Sequence, residues 1–118
     1  MSLRDQLDQF RTSQPGVTHL VFGDLSTGMV LFAEADKIVS QEIHDATIPR
    51  ASEISDAAKS LNDANNWVIV QSGDGCEIVV SHEASPEEIL FLKYHGSAAM
   101  ATALAAYDLL AGLAEEGA

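Results

Sequence analysis

The side chains best suited to acid–base or metal chemistry are four histidines and a single cysteine, Cys76. The histidines, His19, His44, His82 and His95, show no ligand spacing such as His-x-x-x-His, which argues against a metal site. Cys76 and His82 would share a face of one strand, but six residues at about 3.3 Å each separate them by roughly 20 Å. They cannot act as nucleophile and base, and the sequence predicts no catalytic residues and no metal ligands.

His19 has one further possible role. Its position in an apolar stretch would let it meet Tyr94 or His95 across neighbouring strands. A contact of that kind fits a buried, hydrogen-bonded structural histidine at least as well as a general base. Cys76 is typical of a small buried apolar side chain, and a lone cysteine excludes an internal disulfide.

Two glycine-containing loops have a partial likeness to ligand-binding motifs. Residues 72–75, Ser-Gly-Asp-Gly, lack the Gly-Lys-Ser/Thr of a phosphate loop and precede a strand rather than a helix. Residues 24–28, Asp-Leu-Ser-Thr-Gly, lack the spaced carboxylates and downstream Glu of a calcium loop. Both indicate hairpin turns, in which glycine supplies positive φ values. No cofactor is predicted.

Length and composition predict one soluble globular domain over residues 1–118. The chain has 118 residues, 47% of them hydrophobic and 20% charged, which is far from the composition of disordered segments. Apolar runs such as 67–70 and 78–80 are too short to span a bilayer, and residues 1–10 carry charges where a signal peptide needs an apolar stretch. The sequence therefore predicts a cytoplasmic protein without membrane insertion.

The net charge of −12 restricts the partners. A field of that sign repels phosphate backbones, so nucleic acid is not predicted as a partner. It suits a basic protein surface, although acidity alone also keeps a protein soluble. Four acids in and before a predicted middle helix are the surface that a basic partner would meet first: Glu42, Asp45, Glu53 and Asp56. An ordinary solvated surface is the alternative.

The first part of the chain predicts a helix and a hairpin. Ser2 is placed to cap a helix that ends before Pro15. Strand patterns follow at 17–22 and 29–33, joined by a glycine-containing turn. Residues 34–46 are acidic and fit a helix, a strand or a loop, so they are predicted only as a connection.

The rest of the chain predicts a helix, three strands and a helix. Thr47 is a plausible N-cap with Pro49 in the first helical turn, and the helix continues until the polar residues 62–66. A second hairpin spans 65–83, and a further apolar run covers 89–94. The last helix is rich in alanine and leucine and reaches about Ala114.

The second hairpin, "NNWVIVQSGDGCEIVVSHE", does not alternate apolar and polar residues in either arm. Side chains on both faces of its sheet must therefore be covered. We predict an α+β fold of three layers and order α-β-β-α-β-β-β-α. In this three-layer sandwich, a five-stranded antiparallel sheet lies between the middle helix and the N- and C-terminal helices.

This arrangement resembles the roadblock/dynein light chain family. The element order carries the resemblance, together with "GVTHLVFGDLSTGMVLFAEAD" as the first hairpin and "NNWVIVQSGDGCEIVVSHE" as the second, over nearly the whole chain. The stretch "EASPEEILFLKYHG" departs from the pattern, because a Pro and two acids precede the last strand, which could begin as a helical turn. Profilin, longin, PAS and GAF domains have similar layers.

The resemblance implies a homodimer joined through the strand after the middle helix, with the two middle helices paired beside it. Here that edge strand is Trp67, Val68, Ile69, Val70 and Gln71. An uncharged apolar edge with no Lys or Pro is a liability in a monomer and is expected in a dimer. An internal strand that needs no partner is the alternative.

The resemblance also implies a non-catalytic adaptor or regulator that binds a small Ras-like GTPase or a scaffold subunit. The three arginines, Arg4, Arg11 and Arg50, lie in no recognisable finger loop, so we expect any effect on a GTPase to come from binding. The alternative is a PAS-, GAF- or profilin-like module that senses a small molecule, with His19, Tyr94 and His95 in its pocket.

Overall fold

The computed structural model describes residues 2–60, 66–73 and 75–117. The described elements follow the predicted order α-β-β-α-β-β-β-α: α1 (Leu3–Ser13), β1 (Val17–Asp24), β2 (Met29–Ala35), α2 (Gln41–Ser60), β3 (Trp67–Ser72), β4 (Gly75–His82), β5 (Ser85–Tyr94) and α3 (Ala99–Gly117). No helix in these ranges is long and apolar enough to cross a membrane.

Helix α1 confirms the prediction from its sequence. The Ser2 hydroxyl accepts a hydrogen bond from the Asp5 N–H at 3.2 Å, which satisfies one of the free donors of the first turn. Leu7 and Phe10 are buried on one side of the helix. The helix ends where the Gln14 N–H donates to the Arg11 carbonyl, just before Pro15.

Helix α2 begins earlier than predicted, at Gln41 rather than after Thr47. Thr47 is not the N-cap: it lies inside the helix and its hydroxyl donates to the His44 carbonyl at 2.7 Å. Pro49 is likewise internal and leaves the Asp45 carbonyl without its usual N–H donor. Because His44 and Ile48 contact the sheet, packing holds these turns in a helix despite the proline.

The remaining element bounds also differ from the predicted ones. Residues 34–35 continue β2, so the connection is only 36–40. Strand β5 is extended from Ser85 onward, which excludes the helical turn considered for its start. The predicted end of the middle helix at 62–66 lies outside the described residues apart from Asn66, and so does Asp74 of the hairpin turn.

The five strands form one antiparallel sheet in the order β2-β1-β5-β4-β3. Helices α1 and α3 cover one face, and α2 covers the other, as predicted. Consecutive residues of β5 show the division, since Leu90 and Leu92 belong to the first core while Ile89 and Phe91 belong to the second. Strand β5 is central, and these four side chains are fully buried.

Gly23 permits the close approach of α2 to the first hairpin. A Cβ atom there would lie 2.9 Å from the Met29 carbonyl oxygen and closer still to the terminal methyl of Ile48. Gly112 in α3 is the opposite case, because a Cβ atom there would meet open space. Packing therefore requires glycine at position 23, whereas at position 112 there is room for a larger residue.

We predict opposite effects of alanine at these positions. Gly23→Ala should lower the free energy of unfolding by about 1–3 kcal/mol, because Ile48 and the backbone of β2 must move. Gly112→Ala should raise it by about 0.5–1 kcal/mol, because glycine is a poor residue in a helix. Urea denaturation followed by circular dichroism measures both. A neutral Gly23→Ala would show that α2 does not pack as described.

Candidate interaction site

Strand β3 lies at one edge of the sheet, with Trp67 to Val70 half-buried. The Asn66 carbonyl accepts a hydrogen bond from the Ser81 N–H at 2.8 Å, so Asn66 and Ser81 form a hydrogen-bonded pair between the two strands. This pair determines which residues of β3 bond to β4. Hydrogen-bonded pairs alternate along an antiparallel ladder. The N–H and C=O groups of Trp67, Ile69 and Gln71 therefore point away from β4, towards the open side of the sheet.

The side chains of β3 divide between the two cores. Trp67 and Ile69 pack against the α1–α3 core, and the Trp67 ring meets Tyr107 of α3 edge-on with centroids 6.1 Å apart. Val68 and Val70 pack against the α2 core. This division explains why consecutive residues of the strand are apolar.

An open groove of about 580 Å³ lies between α2 and β3. Its middle is apolar and its α2 side carries one arginine and one glutamate. The lining residues are Arg50, Glu53, Ile54, Ala57, Ala58, Val68, Ile69 and Val70. The groove borders the outward-facing backbone of β3, so one partner could contact both features.

Arg50 ties α2 to the sheet beside this groove. Its Nε and Nη2 groups donate to the carboxylate of Glu77 at 2.9–3.3 Å, and Nη1 donates to Glu53 at 3.1 Å. The side chain of Glu77 on β4 is 11% exposed, whereas that of Glu53 is 71% exposed. The hydrogen bonds that Arg50 donates to Glu77, and then the one to Glu53, hold the pKa of Arg50 above its usual value.

This ion pair was not predicted from the sequence. Glu77 is an acid inside an otherwise apolar strand, and a buried acid needs a partner. That signal predicts a cation nearby but does not identify Arg50, because the contact depends on where α2 crosses the sheet.

The four acids singled out from the sequence, Glu42, Asp45, Glu53 and Asp56, are all exposed residues of α2. At about 100° per residue they fall within an arc of about 80° on one side of the helix. The extension of α2 to Gln41 brings Glu42 and Asp45 into this row. We call these four residues the acidic face.

Two neighbouring acids lie elsewhere. Glu34 near the end of β2 and Asp36 just after that strand both form ion pairs with Arg11 of α1. Burial, together with the nearby Asp8, raises the pKa of Glu34. These acids connect α1 to β2 and are not part of the acidic face.

His19 meets His44 of α2 rather than Tyr94, whose side chain lies in the core on the other face of the sheet. His19 Nε2 lies 2.9 Å from His44 Nδ1, so one ring nitrogen donates to the other. The expected contact with Tyr94 is wrong because His19 faces α2, which begins at Gln41 and so includes His44. Burial, followed by His44, Lys93 and Arg11, lowers the pKa of His19 to about 4.

The remaining candidate side chains, Tyr94, His82 and Cys76, are either hydrogen-bonded to the backbone or buried. The Tyr94 hydroxyl accepts from the Ala98 N–H at 3.1 Å, at the start of α3. His82 Nδ1 accepts from the Ala84 N–H at 3.0 Å in the turn after β4. Cys76 is buried, and burial raises the pKa of its thiol, which disfavours the reactive thiolate. Within ranges 2–60, 66–73 and 75–117, no group of three or more His, Cys, Asp or Glu could hold a metal ion.

Solved structures define the class of this fold. A Roadblock/LC7 domain from Streptomyces avermitilis superposes with a TM-score of 0.79 at 14% identity, over 98% of each chain. MglB from Myxococcus xanthus gives 0.71 at 8% identity, over 96% of this chain and 92% of that one. The gliding protein MglB from Thermus thermophilus gives 0.64 at 20% identity, over 96% and 88%.

The chain therefore has the Roadblock/LC7 fold over nearly its whole length. No family model matches the sequence, and no curated protein matches it. The similarity is one of structure, since the identities are too low to extend it to activity.

We predict that the Arg50–Glu77 pair contributes more to stability than the Arg50–Glu53 pair. Glu77→Gln should lower the midpoint of urea denaturation, because it leaves a weaker partner for Arg50 at a buried position. Glu53→Gln is the matched control and should change it little, because that pair is exposed. Equal midpoints for both variants would contradict the prediction.

Proposed function

We propose that this protein is a non-catalytic adaptor or regulator of roadblock type that works as a homodimer. The observation that carries the proposal is the uncharged edge strand β3, with its outward backbone groups beside an open apolar groove. The backbone supplies hydrogen bonds to a second strand, and the groove supplies apolar surface. A second copy of β3 meets both requirements.

The two sheet edges differ in a way that favours β3. Strand β2, at the other edge, contains a bulge opposite Phe22 and Gly23, with Leu31 as its extra residue. Strand β3 pairs with β4 without a register shift over its six residues. Bulges disrupt regular pairing with another strand, whereas a flat edge invites it.

In the proposed dimer, two copies of β3 pair antiparallel about a twofold axis at Ile69. In this register, the backbone groups of all three outward-facing residues form hydrogen bonds with the partner strand. Ile69 then pairs with its own copy, and Trp67 pairs with Gln71 of the partner subunit. On the α2 side, Val68 lies opposite Val70 of the partner subunit. Such apolar cross-strand pairs stabilise an antiparallel sheet.

Helix α2 would complete the interface. Ile43, Arg50 and Ala57 recur every seven residues and so share one side of the helix. Arg50 and Ala57 line the groove, and Ile43 is 46% exposed. A partner α2 packed alongside would cover this isoleucine and close the groove.

The proposed heterologous partner is a basic surface on a small Ras-like GTPase or a scaffold subunit. The roadblock-type fold supports this class of partner, and the acidic face supplies the charge complementarity. The proposed effect is through binding, because Arg11 and Arg50 are engaged by carboxylates and Arg4 lies within helix α1 rather than in a finger loop.

The first experiment measures native mass by light scattering at micromolar concentration. The wild type should be a dimer and Ile69→Lys a monomer with an unchanged circular dichroism spectrum, because a lysine at the axis meets its own copy. Leu31→Lys, at the other edge, is the matched control and should remain a dimer. A wild-type monomer would refute the homodimer and favour a small ligand as the occupant of the groove.

A second experiment tests the acidic face. The double variant Glu42→Lys/Asp56→Lys should weaken binding to a candidate Ras-like GTPase at least ten-fold, with a larger effect at low salt. Asp5→Lys/Asp108→Lys makes the same charge change on α1 and α3 and should leave the affinity nearly unaltered. Calorimetric titration at two salt concentrations measures both. Equal losses in the two variants would point to net charge and contradict a specific face.

A further inference from the structure

The His19–His44 contact is where the first turns of α2 meet the sheet. His19 is 5% exposed, and the two rings lie 5.0 Å apart between centroids, tilted by 54°. Only one hydrogen can lie between His19 Nε2 and His44 Nδ1, so one of these nitrogens must accept. The contact requires that at least one ring be neutral.

A cationic side chain faces this contact, because Lys93 of β5 lies directly across from His19 of β1. Arg11 of α1 also lowers the pKa of His19, although it is paired with Glu34 and Asp36 on the other side of the sheet. The next residue in the row across the sheet is Glu77 of β4, which Arg50 of α2 already holds. Protonation of both rings would therefore place two adjacent cations beside Lys93.

Pro49 divides α2 directly after these turns. It has no N–H for the Asp45 carbonyl, so the helix lacks one of the hydrogen bonds that join residues 41–48 to the part that follows. The second part is held by Arg50 on Glu77 and by Ile54 in the core. The first part is held by the His19–His44 contact together with the buried side chain of Ile48, so loss of the contact removes one of its two anchors.

We propose that the His19–His44 contact is an acid-sensitive latch: the pair with at least one neutral ring holds residues 41–48 on β1, and protonation of both rings releases that segment about Pro49. The latch belongs to the chain itself and operates whether or not a partner is bound.

The direction of the effect follows from the two states of His19. Its pKa is about 4 in the closed state and returns towards 6.5 when the segment leaves and the ring is hydrated. The released state thus binds the proton more tightly, and closure is lost as the pH falls from about 6.5 towards 4. At pH 5, release should be favoured on the order of ten-fold more than at pH 7.5.

A consequence for partner binding rests on the proposed function. The segment carries Glu42 and Asp45, so its release would remove half of the acidic face. Acid should then weaken binding of a basic partner before the fold itself is lost.

Amide hydrogen exchange of the full chain, read by mass spectrometry at pH 7.5 and 5.0 and corrected for the intrinsic rates, tests the latch directly. Protection of residues 41–48 should fall on the order of ten-fold in acid, while β4 and β5 keep theirs. Unchanged protection of 41–48, or a loss spread over the whole chain, would overturn the proposal.

Variants tie the response to the histidine pair. His19→Gln keeps a hydrogen-bonding side chain that cannot take the proton and should abolish the acid response, whereas the control His82→Gln should keep it. A persistent response in His19→Gln would overturn the latch. If His19→Gln does not fold, Pro49→Ala provides the test. This variant restores the helical N–H at position 49 and should reduce the loss of protection in acid. An unchanged loss of protection would overturn the latch. None of these measurements uses a partner or a dimer, so failure of the proposed function would leave them valid.

Discussion

The sheet is apolar on both faces, and the burial of those two faces determines where every helix lies. Leu90 and Leu92 of β5 need cover on one side, and Ile89 and Phe91 need it on the other. Burial of apolar area is the main driving force of folding, so neither face can stay in water. With α1 and α3 on one face and α2 on the other, the edges of the sheet are its remaining open boundaries.

Helix α2 connects the core to the open edge through three kinds of contact. Apolar packing of Ile48 on Gly23 sets its distance from the sheet, and the Arg50–Glu77 pair fixes it beside β4. The His19–His44 contact holds its first turns. The same helix contributes one wall of the groove and the whole acidic face, so its placement on the core governs both proposed binding surfaces.

The layered fold could be predicted from the sequence because it depends on patterns along the chain. Consecutive apolar residues in 67–70 and 78–80 require two covered faces, and the helical spacing of apolar residues locates the covering elements. The start of α2 could not be predicted in this way. Thr47 followed by Pro49 is typical of a helix start, and only the contacts of His44 with the sheet override that pattern.

The contacts of the site were less predictable than its surface. The strand after the middle helix was placed at an edge through the family resemblance, and the four exposed acids were identified from charge alone. The partners of Arg50 and His19 were missed, because Glu77 and His44 are distant in sequence and meet them only through the crossing of α2 over the sheet. The sequence can show that a buried polar residue needs a partner, but not which residue that partner is. Glu77 within β4 is an example.

The most direct test of the account is nuclear magnetic resonance of the β3 amides as a function of protein concentration. If two copies pair through this strand, the amides of Trp67, Ile69 and Gln71 should be protected from hydrogen exchange at high concentration and lose that protection on dilution. The amides of Val68 and Val70, which face β4, should stay protected throughout. Rapid exchange of Trp67, Ile69 and Gln71 at every concentration would contradict the account.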